Sequence, residues 1–306
     1  MKLYGSYASL FTLLVSFNAY SLVDYTETSS KKFNTTRPQA SKAIKRVQAA
    51  APTKKKNSSS GYFDLGLNYE SLDVKSSETN GKVDKINFHG HFQTNFNMFV
   101  DVSHWAASTS RSQISNSSEI QQGNPKLIVG FNWLRFGQPI EMATIDFIAG
   151  VSMAAKSDFS TSRTDKIVGV ETTKRFYNFA LALGYELNLT GSPDDIEETA
   201  VGSISTLKAS LGWRVSNDIR FAVNAGNVRI SKSTDTDRVN ALEQDETFSY
   251  VSPKISLGIT PSVLLDLGAT FRSKKPVNQE ALIGAKLWGI PGAYGNSISA
   301  GLNISI

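Results

Sequence analysis

The chain has 306 residues, of which 40% are hydrophobic and 19% charged, with 17 Phe, 10 Tyr, 4 Trp and no cysteine. The aromatics exclude a disordered chain, and the missing cysteines exclude a disulfide scaffold. The lack of any run of about 18 apolar residues excludes a bundle of membrane-spanning helices.

Lys2 precedes a short apolar core at Leu10–Val15, and the small residues Ala19 and Ser21 sit two apart. That order predicts a secretory signal peptide over 1–21, because the core is too short to span a bilayer. Residues 22–60 carry Lys31, Lys32, Arg37, Lys42, Lys45, Arg46, Lys54, Lys55 and Lys56 against Asp24 and Glu27. With their Ser, Thr, Pro and Ala they predict a flexible basic periplasmic tail or linker. The 31–56 portion is a candidate for docking on an anionic surface, set against the plainer reading of a solvated linker. The net charge of +5 comes from this tail, the body being slightly acidic. No nucleic-acid partner is expected.

From Gly61 the pattern changes to period two. Phe63, Leu65, Leu67 and Tyr69 alternate with Asp64, Gly66, Asn68 and Glu70. Ile86, Phe88 and Phe92 alternate with Asn87, His89 and His91. The segment 175–189 reads as one long alternating strand, and Leu207–Val215 and Leu265–Phe271 follow the same rule. Side chains of a strand point to opposite faces, so each segment has one oily and one wet side. A soluble secreted β-sandwich would alternate too. These segments, however, are longer than the soluble mode of about 5–6 residues, and they match the roughly 9–11 of a tilted membrane-crossing strand. Tight turns at 95–97, 216–218 and 260–262 contrast with long polar loops at 74–83, 108–123, 190–200 and 231–246. Tyr69, Trp105, Trp133, Trp213, Tyr250 and Trp288 lie near strand ends, as interfacial girdles do.

Ile298, Ala300, Leu302, Ile304 and Ile306 alternate with Ser297, Ser299, Gly301, Asn303 and Ser305. This run resembles the terminal strand signal of bacterial outer-membrane β-barrel proteins, although Ile306 stands where that family usually has Phe or Trp. The resemblance covers 61–306 in pattern. It implies residence in the outer membrane, outer-membrane lipid around the wall, and barrel-assembly machinery as a partner of 296–306. The expected fold is all-β, a transmembrane antiparallel up-and-down barrel of about 12 strands (12–14). Candidate strands are 61–73, 83–95, 98–107, 124–136, 143–156, 165–171, 175–189, 202–215, 219–230, 247–260, 263–273, 279–288 and 296–306. Bacterial single-chain barrels have even strand numbers. Dropping the short, poorly alternating 165–171 gives twelve, but the long loops then change side partway along the chain.

The wet face carries both charge signs: Asp64, Glu70, Asp101, Asp146, Glu186 and Asp266 against Lys208, Arg214, Arg220, Arg272 and Lys286, with His89 and His91 beside them. These are the candidate lumen-lining residues. They either set a transverse field in an open pore or pair and fill it, since about twelve strands fall between a packed small barrel and a wide porin. His89 and His91 share a face, but a metal site needs three or four ligands. Asp101 and His104, three apart on one strand, face opposite ways. No phosphate-binding glycine loop or serine hydrolase motif occurs, so no enzyme, cofactor or metal is expected. The leading expectation is a porin-like passive channel for small polar solutes. The alternatives are a non-conducting structural or adhesin-like barrel and, last, a barrel hydrolase.

Overall fold

The computed structural model describes residues 62–306, except 76–78, 95, 112–113, 116, 138–140 and 236–237. The expected signal peptide and basic tail lie outside the described residues. Among these there are thirteen strands and one helix: β1 (Tyr62–Lys75), β2 (Asn80–Gln93), β3 (Met98–Ser108), β4 (Gln121–Gln122), β5 (Lys126–Phe136), β6 (Ala143–Ser152), β7 (Asp165–Phe176), β8 (Phe179–Leu189), β9 (Ile204–Arg214), β10 (Ile219–Ile230), β11 (Glu246–Thr260), β12 (Val263–Lys274), α1 (Gln279–Gly284) and β13 (Gly295–Ser305). The two-residue β4 only adds a rung to β3. The other twelve strands form the wall, each antiparallel to its neighbours in chain order. β13 pairs with β1 from Asp64↔Ser305 to Val74↔Gly295, which closes the cylinder. Closure leaves no sheet edge, the condition for a β-structure in hydrocarbon.

Twelve is the expected count, but two strands were assigned differently. The segment 175–189 is not one strand. β7 ends at Phe176, Tyr177 takes a left-handed φ of 52°, and β8 starts at Phe179. Phe176 and Phe179 pair across the turn and both face outward, so the outward positions are even on β7 and odd on β8. Tyr177 happens to fall in step with Phe179, Leu181 and Leu183, and the turn therefore reads as strand. The dropped 165–171 is therefore the first half of a genuine strand. Residues 279–288, read as a strand, instead form α1 and an inward-folded loop. The Asn278 side chain caps α1 by accepting from the Ala281 N–H at 3.1 Å. With these two changes the sides become consistent. Turns at 94–97, 137–142, 177–178, 215–218 and 261–262 lie at one end, and loops at 109–125, 153–164, 190–203, 231–245 and 275–294 at the other. Most of the segment 74–83, expected as a long loop, is strand instead: β1 runs to Lys75 and β2 starts at Asn80.

The strands invert their own amphipathicity. Over most of its length the wall is oily outside, with Leu67, Leu181, Leu183 and Leu211 exposed, and polar inside. Near the long-loop end the order reverses. On β1, Phe63, Leu65, Leu67 and Tyr69 point outward and give way to Ser71 and Asp73, while inward Asp64, Asn68 and Glu70 give way to buried Leu72 and Val74. On β10, outward Phe221 and Val223 give way to Asn227 and Arg229, and inward Asn224 gives way to Val228 and Ile230. Strands of 10 to 15 residues exceed the membrane requirement. The surplus stands in water, and there the barrel is built like a soluble protein with an apolar interior.

The aromatic girdle is correspondingly half of what was expected. Trp213 stacks on Phe179 at 5.6 Å and 9° and lies 6.1 Å from Phe221, and Trp133, at a bulge, lies 5.4 Å from Phe147. These rings face out near the short turns, and Tyr69 faces out near the other boundary. Trp105, Tyr250 and Trp288 are instead buried inside. They belong to the apolar interior, which uses the same residue types as an interfacial belt.

Candidate functional site

The lumen has two storeys. The lower is a polar chamber of about 450 Å³. Asp64, His89, His91, Asp101, Asp146, Glu186, Lys208, Arg220 and Asp266 line it, together with Lys126, Asn132, Glu171, Asn188, Asn224 and Lys254. The remaining candidates sit elsewhere. Glu70 lies above the chamber, buried with Lys85. Arg214 ends β9 on the inward face at the short-turn mouth. Arg272 donates to the Ala293 carbonyl at 3.0 Å near the long-loop end. Lys286 is on no strand. It follows α1 with a φ of 53° and reaches the Ser157 carbonyl and the Asp195 carboxylate, each at 3.4 Å.

Many of the chamber's charges are paired. His91 Nδ1 and Asp101 Oδ1 are 2.6 Å apart, on directly opposed residues of β2 and β3. Lys254 donates to Asp266 at 3.0 Å, and Asn303 donates to the same carboxylate at 2.6 Å. Glu186 accepts from Lys208 at 2.6 Å and from Lys126 at 3.4 Å. Lys126 is on β5 and Glu186 on β8, so this contact passes over β6 and β7. Gly150 and Gly169 face inward on those two strands and present no side chain to obstruct it. The Asn132 amide donates to Asp146. Among the described residues no group of three or more His, Asp or Glu is placed to hold a metal ion.

The upper storey is filled by the loop 275–294. Its Leu282, Ala285, Leu287, Trp288, Ala293 and Tyr294 pack against wall residues Leu72, Val74, Val83, Trp105, Val228, Ile230, Phe248 and Tyr250 in one apolar cluster. Trp288 is 2% exposed, with its ring 4.1 Å from Tyr294 and edge-on to Phe159 at 5.4 Å. The Tyr294 hydroxyl donates to the Leu282 carbonyl at 2.7 Å and accepts from the Leu287 N–H. Burial raises its pKa, so it stays protonated. Gly289, Ile290 and Pro291, at the tip of the loop, form part of the chamber's lining.

Polar contacts fasten this plug to the wall. Glu246 accepts the backbone N–H groups of Val277 and Asn278 at 2.7 and 2.8 Å. Buried Lys85 donates both to Glu70 at 2.9 Å and to the Trp288 carbonyl at 3.1 Å, and lies 5.2 Å from the Trp105 ring. Ser297 completes the Glu70 carboxylate at 2.7 Å. Outside the plug, Arg163 is buried between Glu198 at 3.0 Å and Asp165 at 3.1 Å, tying the loops 153–164 and 190–203 together.

No family model matches the chain, and no curated protein matches it. Solved structures do. An outer membrane channel from Pseudomonas putida F1 is similar at a TM-score of 0.57 and 8% identity, over 80% of this chain and 95% of that one. The NanC porin is similar at a TM-score of 0.50 and 8% identity, over 79% of this chain and 98% of that one. A closed twelve-stranded wall with oil on one side and water on the other, shared at this level with those two proteins, makes the chain an outer-membrane β-barrel in fold.

Proposed function

We propose that the protein is a passive channel for small polar solutes, with the lower chamber as its path. The observation that carries this reading is a space of about 450 Å³, lined by acids, lysines and amides, inside a wall whose outer face is oily. The likeness in fold to a channel and a porin supports the same reading. The plug would then be the element that limits flow at the long-loop end.

The apolar upper storey favours a second reading, a non-conducting structural or adhesin-like barrel presenting its long loops. Planar-bilayer recording separates the two. The intact chain should give small or infrequent conductance steps, and replacement of 277–293 by a short Gly-Ser turn should give steady ones. Silence from both, with folding verified by heat-modifiable gel migration, would leave the non-conducting reading in place.

A further inference from the structure

Two acids of the chamber stand directly opposite each other on neighbouring strands: Asp146 on β6 and Glu171 on β7 are cross-strand partners, and both line the lumen. Like charges so placed are destabilising, so the sheet gains nothing from this pair by itself. Asp146 accepts from neutral donors, the Asn132 amide and the Thr144 hydroxyl, the latter at 3.2 Å. Among the described residues no donor reaches the Glu171 carboxylate. Its side chain leans over Gly184, its partner on β8, where an added Cβ would come within 3.2 Å of Glu171 Cγ. The neighbouring cations are engaged. Lys208, the partner of Gly184 on β9, donates to Glu186 at 2.6 Å, and Arg135, near Asp146, donates to the Met142 sulfur at 2.7 Å.

The rest of the lining leans the same way. It carries six carboxylates against three lysines and one arginine, and a proton on His91, shared with Asp101, still leaves an acid in excess. Arg175 and Arg214, toward the short-turn mouth, lie outside this lining and have partners of their own. Among the described residues, four buried side-chain atoms of the lining lack a hydrogen-bond partner: Oδ1 of Asn132, Asn188 and Asp266, and Nε of Arg220. Three of the four are acceptors, so what the wall leaves unmet is chiefly a demand for donors.

We infer that the chamber selects small cations, ammonium-bearing organic solutes among them, and that Glu171 sets the preference. The inference rests on the channel reading above and names its solute class. A cleft lined by an excess of one charge, inside a wall of low dielectric, concentrates counter-ions. Carboxylates in a pore do this for cations. A cation passing between Glu171 and Asp146 offsets their repulsion, and the N–H groups of an ammonium suit a wall rich in acceptors. An anion meets neither advantage there.

The experiment is planar-bilayer recording of the full chain at pH 8 in gradients of KCl and of methylammonium chloride, repeated with 277–293 shortened. Reversal potentials of the cation sign are expected in both salts. Glu171→Gln, nearly the same in shape, should shift them toward zero, and Glu171→Lys should shift them further. Glu171→Asp keeps the charge and should keep the preference. Arg229→Gln, which removes an outward arginine paired with Asp245 at the other end, should change nothing. Conductance steps whose reversal potential is zero or of the chloride sign overturn the selectivity and leave the channel standing. A cation preference that Glu171→Gln does not move overturns the role of Glu171. Silence from both the intact and the shortened chain, with folding verified on the gel, removes the channel and this inference with it.

Discussion

Lys85 is one ammonium shared by two structures. It neutralises Glu70 on the wall and donates to the Trp288 carbonyl of the plug, all within the buried interior. Removing one partner of a buried pair leaves the other charge uncompensated, at a cost of roughly 3–5 kcal/mol. Lys85→Met should therefore lower the thermal midpoint in detergent and raise the open fraction in bilayers. Adding Glu70→Gln should restore much of the stability but not the link to the plug, so stability and gating will separate. In the chamber, Glu186 lies between Lys126 and Lys208. Glu186→Gln leaves two ammonium groups without their shared carboxylate. The reversal potential in a KCl gradient should move toward chloride, and no movement would mean that ions do not pass these side chains.

At this scale parity was enough to assign a face. It put Asp64, Asp101, Asp146, Glu186 and Lys208 on the wet side, where they line the chamber. The same rule applied to β5 and β11 would have added Lys126 and Lys254, whereas Glu171 lay in the segment set aside as too short. Parity says nothing about partners. The His91–Asp101 pair depends on the register of β2 against β3, and Lys126–Glu186 on two strands between them being bare at that height. Neither can be read from spacing along one strand.

Whole strands show what alternation conceals. The hairpin 176–179 carries no Gly or Pro, and its one turn-favouring residue is Asn178, while the left-handed φ falls on Tyr177. The inversion of amphipathicity along β1 and β10 was written in the residues, since Leu72 and Val74 share parity with Asp64 and Glu70. Its meaning emerges only when an apolar loop is seen to need those inward positions. The inversion also locates the membrane boundary. Leu183 is 58% exposed on the outer face of β8, in the middle of the oily band, whereas Ser71 lies beyond that band. Leu183→Arg should destabilise the barrel by about 2–4 kcal/mol, the cost of a cation at the bilayer midplane. Ser71→Lys should be close to neutral. Equal effects in a lipid-vesicle unfolding titration would place the boundary elsewhere.

Taken as a whole, the molecule is a membrane barrel with a soluble-type core set on top of its chamber. The plug residues 281–288 alternate poorly but are strongly apolar, so they passed for a lipid-facing strand. Hydrophobicity alone does not distinguish burial against lipid from burial against protein, and the topology of the last loop makes that choice here. The arrangement makes the two ends of the lumen unequal, and a chain without cysteine allows that inequality to be measured. Ser299 lines the chamber, below the apolar layer. In oriented bilayers, a Ser299→Cys variant should react with a membrane-impermeant methanethiosulfonate added on the short-turn side. From the long-loop side it should react slowly, and shortening 277–293 should remove the difference. Leu282→Ala, which hollows the plug by a buried side chain and costs about 2–5 kcal/mol, should fall between them. If the intact chain is modified equally fast from both sides, the apolar storey admits water and solutes, and flow must be limited by the paired charges beneath it.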